Sequence, residues 1–210
     1  MEPTQVIKMT DAKVVVDELC SLLSAQTPKH LLQENPQKNG TEISFSSIFS
    51  ILTHIRMQDG WTADYDYHYG GIGGEPIVYA LGRSGERENL ISHVVADESP
   101  EGWFQLALFT VMRNQFYRYW HAGYGDISPI VSSSEIERLP PPVGSRLTED
   151  IVCPSIEIND DGRIKVVLCV FREHGGGAFR ITFAMNRHFP HEIKDVASQG
   201  LAPHHPDYVY

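Results

Sequence analysis

The sequence predicts an α+β protein, mainly antiparallel β-sheet with two N-terminal helices packed on it. Three observations carry that expectation. Helical periodicity is concentrated before Gly60, β-branched runs separated by Asp-Gly and Gly-rich turns dominate the region after Pro154, and no segment repeats. Helices first and strands afterwards is the order in which helices come to cover one face of an antiparallel sheet.

The first helix is expected from Asp11 to Gln26. Val15, Leu19 and Leu22 recur on one face, with Val16, Cys20 and Leu23 beside them. Asp11 occupies the N-cap position, and Pro28 lies just past the end. Asn35 to Gly40 reads as a surface loop. A second helix is expected from about Ser44 to Gln58, where Phe45, Ile48, Phe49, Leu52 and Ile55 recur at helical spacing before Asp59-Gly60 stops it. His54 sits beside that apolar stripe and reads as a boundary side chain.

Beyond Trp61 the period changes to two. Trp61 to Tyr69 alternates aromatic and polar residues and runs into the glycines Gly70 to Gly74. Strands are expected at Glu75–Leu81 and Leu90–Val95, with a turn at Gly82–Glu86. Ser99-Pro100 would open a helix well, yet the polar residues from Trp103 to Arg118 scatter around a helical wheel. A hairpin is therefore favoured, with strands at Trp103–Met112 and Phe116–Ala122. Ser132 to Asp150, with its serine and proline runs, reads as a long surface loop, or as a short helix near Glu135 followed by an extended Pro140–Pro142 segment. Pro154–Ile158, Arg163–Phe171 and Ala178–Met185 then read as three antiparallel strands joined by Asp161-Gly162 and Gly175–Gly177 turns. A short helix is expected between Arg187 and Ala197. Residues 1–197 thus form one domain, and 198–210 form a peripheral tail.

Composition narrows the function. The chain has 210 residues, 17 Lys+Arg against 27 Asp+Glu, and a formal net charge of −10. No basic stripe is present to neutralise phosphates, which argues against nucleic-acid binding. No apolar run approaches the roughly 20 residues of a membrane span, and the N-terminus has no secretory pattern. The expected location is the cytoplasm. The odd count of cysteines, Cys20, Cys153 and Cys169, contains no Cys-x-x-Cys pair and points to free thiols rather than a disulfide framework or zinc knuckle.

No motif of high specificity announces a chemistry. Gly70–Gly74 lacks the Lys-Ser/Thr of a phosphate loop and precedes a strand, where a dinucleotide loop should open a helix. No cofactor is implied. A metal is not implied either: His188 and His191 are three apart, but Phe189-Pro190 between them opposes a continuous helix, and two ligands without a third are weak.

Two segments stand out, Asp64–Tyr69 and Phe116–Asp126, each gathering aromatics around a histidine with carboxylates close by. In a strand, alternate residues share a face, so Tyr65, Tyr67 and Tyr69 lie opposite Asp64, Asp66 and His68. Amphipathic strands alone would account for this pattern. The functional reading is a pocket lined by Trp61, Tyr67, Tyr69, Tyr119, Trp120 and Tyr124. His68 and His121 would be its proton carriers and Asp66 and Asp126 would orient them. The expected function is small-molecule binding with acid–base catalysis as an option. The alternative is an acidic interaction protein, of inhibitor or immunity type, that covers a basic protein surface.

Overall fold

The computed structural model describes residues 5–24, 45–67, 76–113, 115, 127–172 and 176–204. The helices are α1 (Ala12–Ser24), α2 (Phe45–Ile51), α3 (Pro100–Met112) and three short ones, α4 (Ser133–Ile136), α5 (Pro141–Gly144) and α6 (Glu149–Val152). The first six strands are β1 (Gln5–Lys8), β2 (Ile55–Met57), β3 (Trp61–Tyr67), β4 (Pro76–Gly82), β5 (Arg87–Asn89) and β6 (Val94–Ala96). Then come β7 (Ile127–Ile130), β8 (Ser155–Ile158), β9 (Arg163–Arg172), β10 (Gly177–Asn186) and β11 (Ile193–Pro203). The α+β class with mainly antiparallel sheet is as the sequence predicts.

The late β-branched runs build the main sheet, in the order β1-β8-β9-β10-β11, antiparallel throughout. β7 shares one edge of β9 with β8: β8 pairs with Ile164–Val167 and β7 with Cys169–Arg172. The turn before β9 closes where Gly162 takes φ +77°, a conformation that favours glycine, and donates to the Asn159 carbonyl at 3.1 Å. At the start of β10, Gly177 has φ +110°, and a Cβ there would collide with the Ala202 carbonyl oxygen.

Alternation along β9 and β10 serves two cores. Ile164, Val166, Leu168, Val170, Ile181, Phe183 and Met185 face the larger one, which α1, α2 and α3 complete. Cys169, Phe171 and Ala178 face a smaller one with Ile130, Val143, Leu147 and Val152, beneath α5 and α6.

The largest departure from expectation is α3. The favoured hairpin at Trp103–Met112 is a helix, opened by Ser99, whose hydroxyl accepts from Gly102 N at 3.0 Å, with Pro100 in the first turn. It packs against β7, β8 and β9 of the main sheet and against β2 and β6. Trp103, Phe104, Leu106, Ala107, Leu108 and Phe109 are consequently all buried. A helix covered on all sides has no amphipathic stripe to read. Its polar members are absorbed locally: Gln105 Oε1 accepts from His54 N at 2.8 Å, and the Thr110 hydroxyl donates to the Leu106 carbonyl at 2.7 Å.

Other boundaries also shift. The second helix stops at Ile51 rather than Gln58, because Ile55–Met57 pairs with Val94–Ala96 and buries Ile55 there. Its rings meet α3: Phe49 and Phe45 lie 5.4 and 6.4 Å from Phe109. Leu90–His93 is a 3-10 turn rather than strand, capped by Asn89, whose side chain accepts from Ile91 N. The helix expected between Arg187 and Ala197 is absent; β11 occupies Ile193–Pro203, carrying Ser198 to Pro203 along the sheet edge. Its residues from Val196 to Gly200 are exposed, so an edge strand with one wet face gave no strong period. The proline segment holds an extended Pro140 followed by a helical turn, α5.

No disulfide joins Cys20, Cys153 or Cys169, and burial raises the pKa of each. No helix among the described residues is long and apolar enough to cross a membrane.

Candidate functional site

Because α3 is a continuous helix, it carries Thr110 and Arg113 to one place, beside the 3-10 turn and the chain entering β11. A concavity of about 460 Å³ opens there, lined by Asn89, Ile91, Ser92, Thr110, Arg113, Pro190, His191, Glu192, Ile193 and Val196. That volume lies within the range of small-molecule sites.

His191 builds the wall and is not free to act. It is buried, its Nε2 accepts from Ala96 N at 3.1 Å, and its Nδ1 faces the Asn186 carbonyl at 3.2 Å. Together these fix the neutral tautomer protonated on Nδ1, since only a bare nitrogen accepts from an amide. The ring therefore ties the chain entering β11 to β6. Arg113 is the opposite case. It caps the C-terminal end of α3 and is partly buried, and its guanidinium donates to the Thr110 carbonyl at 3.1 Å. Burial lowers its pKa. Among the described residues no carboxylate pairs with it.

At the other end of α3 the polar groups are saturated. His54 Nδ1 contacts Asp97 Oδ2 at 2.7 Å, while Asp97 Oδ1 accepts from the Ser99 hydroxyl at 2.5 Å and from Ser99 N at 3.1 Å. Burial pushes the Asp97 carboxyl up, but hydrogen bonds from Ser99 and His54 outweigh it and hold its pKa below the ordinary value. The order is histidine–carboxylate–hydroxyl. The serine points at the carboxylate and the helix rather than at the imidazole, so it is not activated as a nucleophile. Beside it His188 Nδ1 contacts Glu98 Oε2 at 2.8 Å, and Glu98 itself takes φ +61°.

The three-stranded sheet β3-β4-β5 holds a third group. Tyr79, opposite Asp64 in the register, has its hydroxyl 3.3 Å from both Asp64 Oδ2 and Asp66 Oδ1. Arg87 pairs with Asp66 and lies 4.3 Å from the Tyr79 ring centre. Burial and the two aspartates push the Tyr79 pKa up to about 12. Trp61 stacks on His93 at 3.6 Å between ring centres, and His93 is held by Gln58 and Glu88 at 2.9 and 2.8 Å.

Of the sequence-predicted site residues, Trp61 and Asp66 thus sit on one small sheet, engaged with His93 and with Arg87 and Tyr79. Tyr67 is described through its backbone pairing with Pro76. His68, Tyr69, Tyr119, Trp120, His121, Tyr124 and Asp126 lie outside the described residues. Next to the second aromatic segment, Ile127 N donates to Gln115 Oε1 at 3.4 Å, two residues past Arg113. His188 and His191 turn to different partners, Glu98 and Ala96, and no group of three potential metal ligands occurs among the described residues. Sequence reasoning missed Arg113 because it was assigned to a hairpin turn. The Ser99-Pro100 start was the signal that would have placed it at the end of a helix. Comparison with known proteins returns no matching family model, curated protein or solved structure.

Proposed function

We propose that the protein binds a small molecule in the concavity between the C-terminal end of α3, the Leu90–His93 turn and the start of β11. The observation that carries this is the composition of one wall system. Ile91, Pro190 and Ile193 supply apolar surface, and Ser92, Thr110 and Arg113 supply a few placed polar groups, the mixture expected of a ligand pocket. Binding is favoured over catalysis there, because His191 has both ring nitrogens engaged. The His54–Asp97 pair sits at the other end of a 13-residue helix, about 20 Å away. Three cysteines without a disulfide fit a reducing compartment, the cytoplasm.

A second reading is the aromatic pocket around His68 and His121, both of which lie outside the described residues. The acidic interaction protein draws its support from the net charge of −10. The large exposed apolar residues Val6, Val14, Ile77 and Val196 sit on four different elements, β1, α1, β4 and β11. The test is a saturation-transfer screen of neutral fragments against wild type and Ile193→Trp, whose indole fills the concavity. Hits lost in Ile193→Trp support the site. Hits unchanged in it, or no hits at all, refute it.

A further inference from the structure

We infer that the molecule bound at the end of α3 is an oxyanion on an apolar body, a carboxylate or phosphate whose charge is met by Arg113. The inference rests on the proposed pocket and adds the chemical class of its occupant.

A guanidinium carries five N–H donors and remains charged at any ordinary pH. Arg113 commits one contact, to the Thr110 carbonyl, and the described residues offer it no carboxylate. Other arginines on the surface find one: Arg56 reaches Asp59 at 3.0 Å, and Arg87 reaches Asp66. Arg172 and Arg180 are likewise partly buried with no ion pair to a described carboxylate; what sets Arg113 apart is that it also lines the concavity. Withdrawing a charge from water is unfavourable unless a partner meets it. The lowered pKa of Arg113 has burial as its cause, with no opposing influence from a described acid.

Its neighbours favour an incoming anion over a cation. Ser92 also lines the concavity, exposed, with a hydroxyl able to donate. His191 Nε2 is taken by Ala96 N and does not compete for Arg113, and the Thr110 hydroxyl has spent its proton on Leu106 and has none to give an anion. Glu192 is the one carboxylate in the lining; it is exposed, so water screens its repulsion of an anion. Ile91, Pro190 and Ile193 offer an apolar wall for the rest of the ligand. The planar fork suits two oxygens of one carboxylate or phosphate at once. The plain structural account is a cation placed at a helix C-terminus, where the dipole favours it. That account explains the single carbonyl contact but assigns nothing to the remaining donors or to the concavity they face.

The experiment uses the full chain and three probes of one shape: benzoate, phenyl phosphate and neutral benzamide. Affinity is read from amide chemical shifts of residues 110–113 and 191–193 and from the melting midpoint. The expected result is that benzoate or phenyl phosphate binds at least about tenfold tighter than benzamide, the value of one charge-assisted hydrogen bond. Arg113→Gln should erase that preference and leave benzamide within about twofold. Arg113→Lys, which keeps the charge and loses the fork, should retain part of it. The ratio of the two anions tells carboxylate from phosphate. Equal binding of benzoate, phenyl phosphate and benzamide would overturn the charge inference and leave the pocket standing. If no probe binds, or if Ser92→Trp in the lining changes nothing, both fall. A marked drop in melting midpoint of Arg113→Gln together with unchanged anion preference would make Arg113 a helix cap and nothing more.

Discussion

The two ends of α3 use polar residues in opposite ways. At the N-terminal end, Asp97, Ser99 and His54 close a network in which both carboxylate oxygens are occupied, and Glu98 and His188 add a second pair beside it. At the C-terminal end, Arg113 donates to the Thr110 carbonyl, pairs with no carboxylate among the described residues and lines the concavity. A saturated network lowers the energy of the fold and gains nothing from a ligand. An unsaturated charge adds little to the fold and is completed by one. The same helix therefore separates a structural terminus from a candidate binding terminus, and the two should respond differently to substitution.

Both ends depend on the helix between them. Leu106 is fully buried in the main core, so Leu106→Ala should cost about 2–5 kcal/mol, the transfer and cavity terms together. Chemical denaturation measures it. A loss below about 1 kcal/mol would mean that α3 is not the common core of the two sites.

The N-terminal network should be the next most sensitive. Asp97→Ala removes the acceptor for His54 and for both Ser99 donors, and a cost of about 1–3 kcal/mol follows for the donors left behind. Gly102→Ala probes the same closeness sterically, since a Cβ would collide with Asp97 Oδ1 and come within 3.2 Å of the His54 carbonyl. It should destabilise by about 1–3 kcal/mol, against the usual gain from alanine in a helix. A Gly102→Ala variant as stable as wild type would show that the network has slack.

How much of this the sequence showed depended on how many faces an element buries. β9 and β10 were legible within a residue or two, because glycine turns bound them and β-branched residues such as Ile164, Val166 and Ile181 fill them. α3 was not, because burial on all sides erased the stripe that marks a surface helix. Asp66 was legible as one of the polar residues alternating with tyrosines, and it does sit opposite buried Tyr65 on β3. Arg113 and His191 were not legible as neighbours, because a turn and a strand far apart in the chain meet only after α3 docks on the sheet. His54 was read as a boundary residue and is one, but its partner Asp97 lies across the β2–β6 pairing, a contact no local pattern encodes.

Acid should distinguish the two ends without mutation. The Asp97 pKa is depressed in the folded state, so its contribution to stability is present above the unfolded carboxylate value, about 3.9, and is lost as pH falls through the lower folded value. Urea midpoints measured between about pH 5 and pH 2.5, the window around that value, should fall less steeply for Asp97→Asn than for wild type. Identical slopes would remove the pair from the account of acid stability.

Arg113 should give the smallest effect on stability. Arg113→Gln removes a positive charge from the helix C-terminus, a loss of about 0.3–1 kcal/mol. It also removes the penalty of holding that charge out of water without a partner, a gain of the same order once partial exposure is allowed for. The Thr110 carbonyl loses one donor but lies in the last turn, where water can replace it. The terms nearly cancel, and the variant should unfold within about 1 kcal/mol of wild type, well inside the Asp97→Ala loss. Addition of benzoate should then separate the two proteins. Wild type should gain stability as RT ln(1 + [L]/Kd), and Arg113→Gln, with its larger Kd for benzoate, should gain less at the same concentration. A substitution that is silent in the empty protein and decisive in the presence of an anion identifies a residue kept for what it binds. Were Arg113→Gln instead as costly as Asp97→Ala, with benzoate stabilising both proteins equally, the two ends of α3 would be alike and the contrast drawn between them would be wrong.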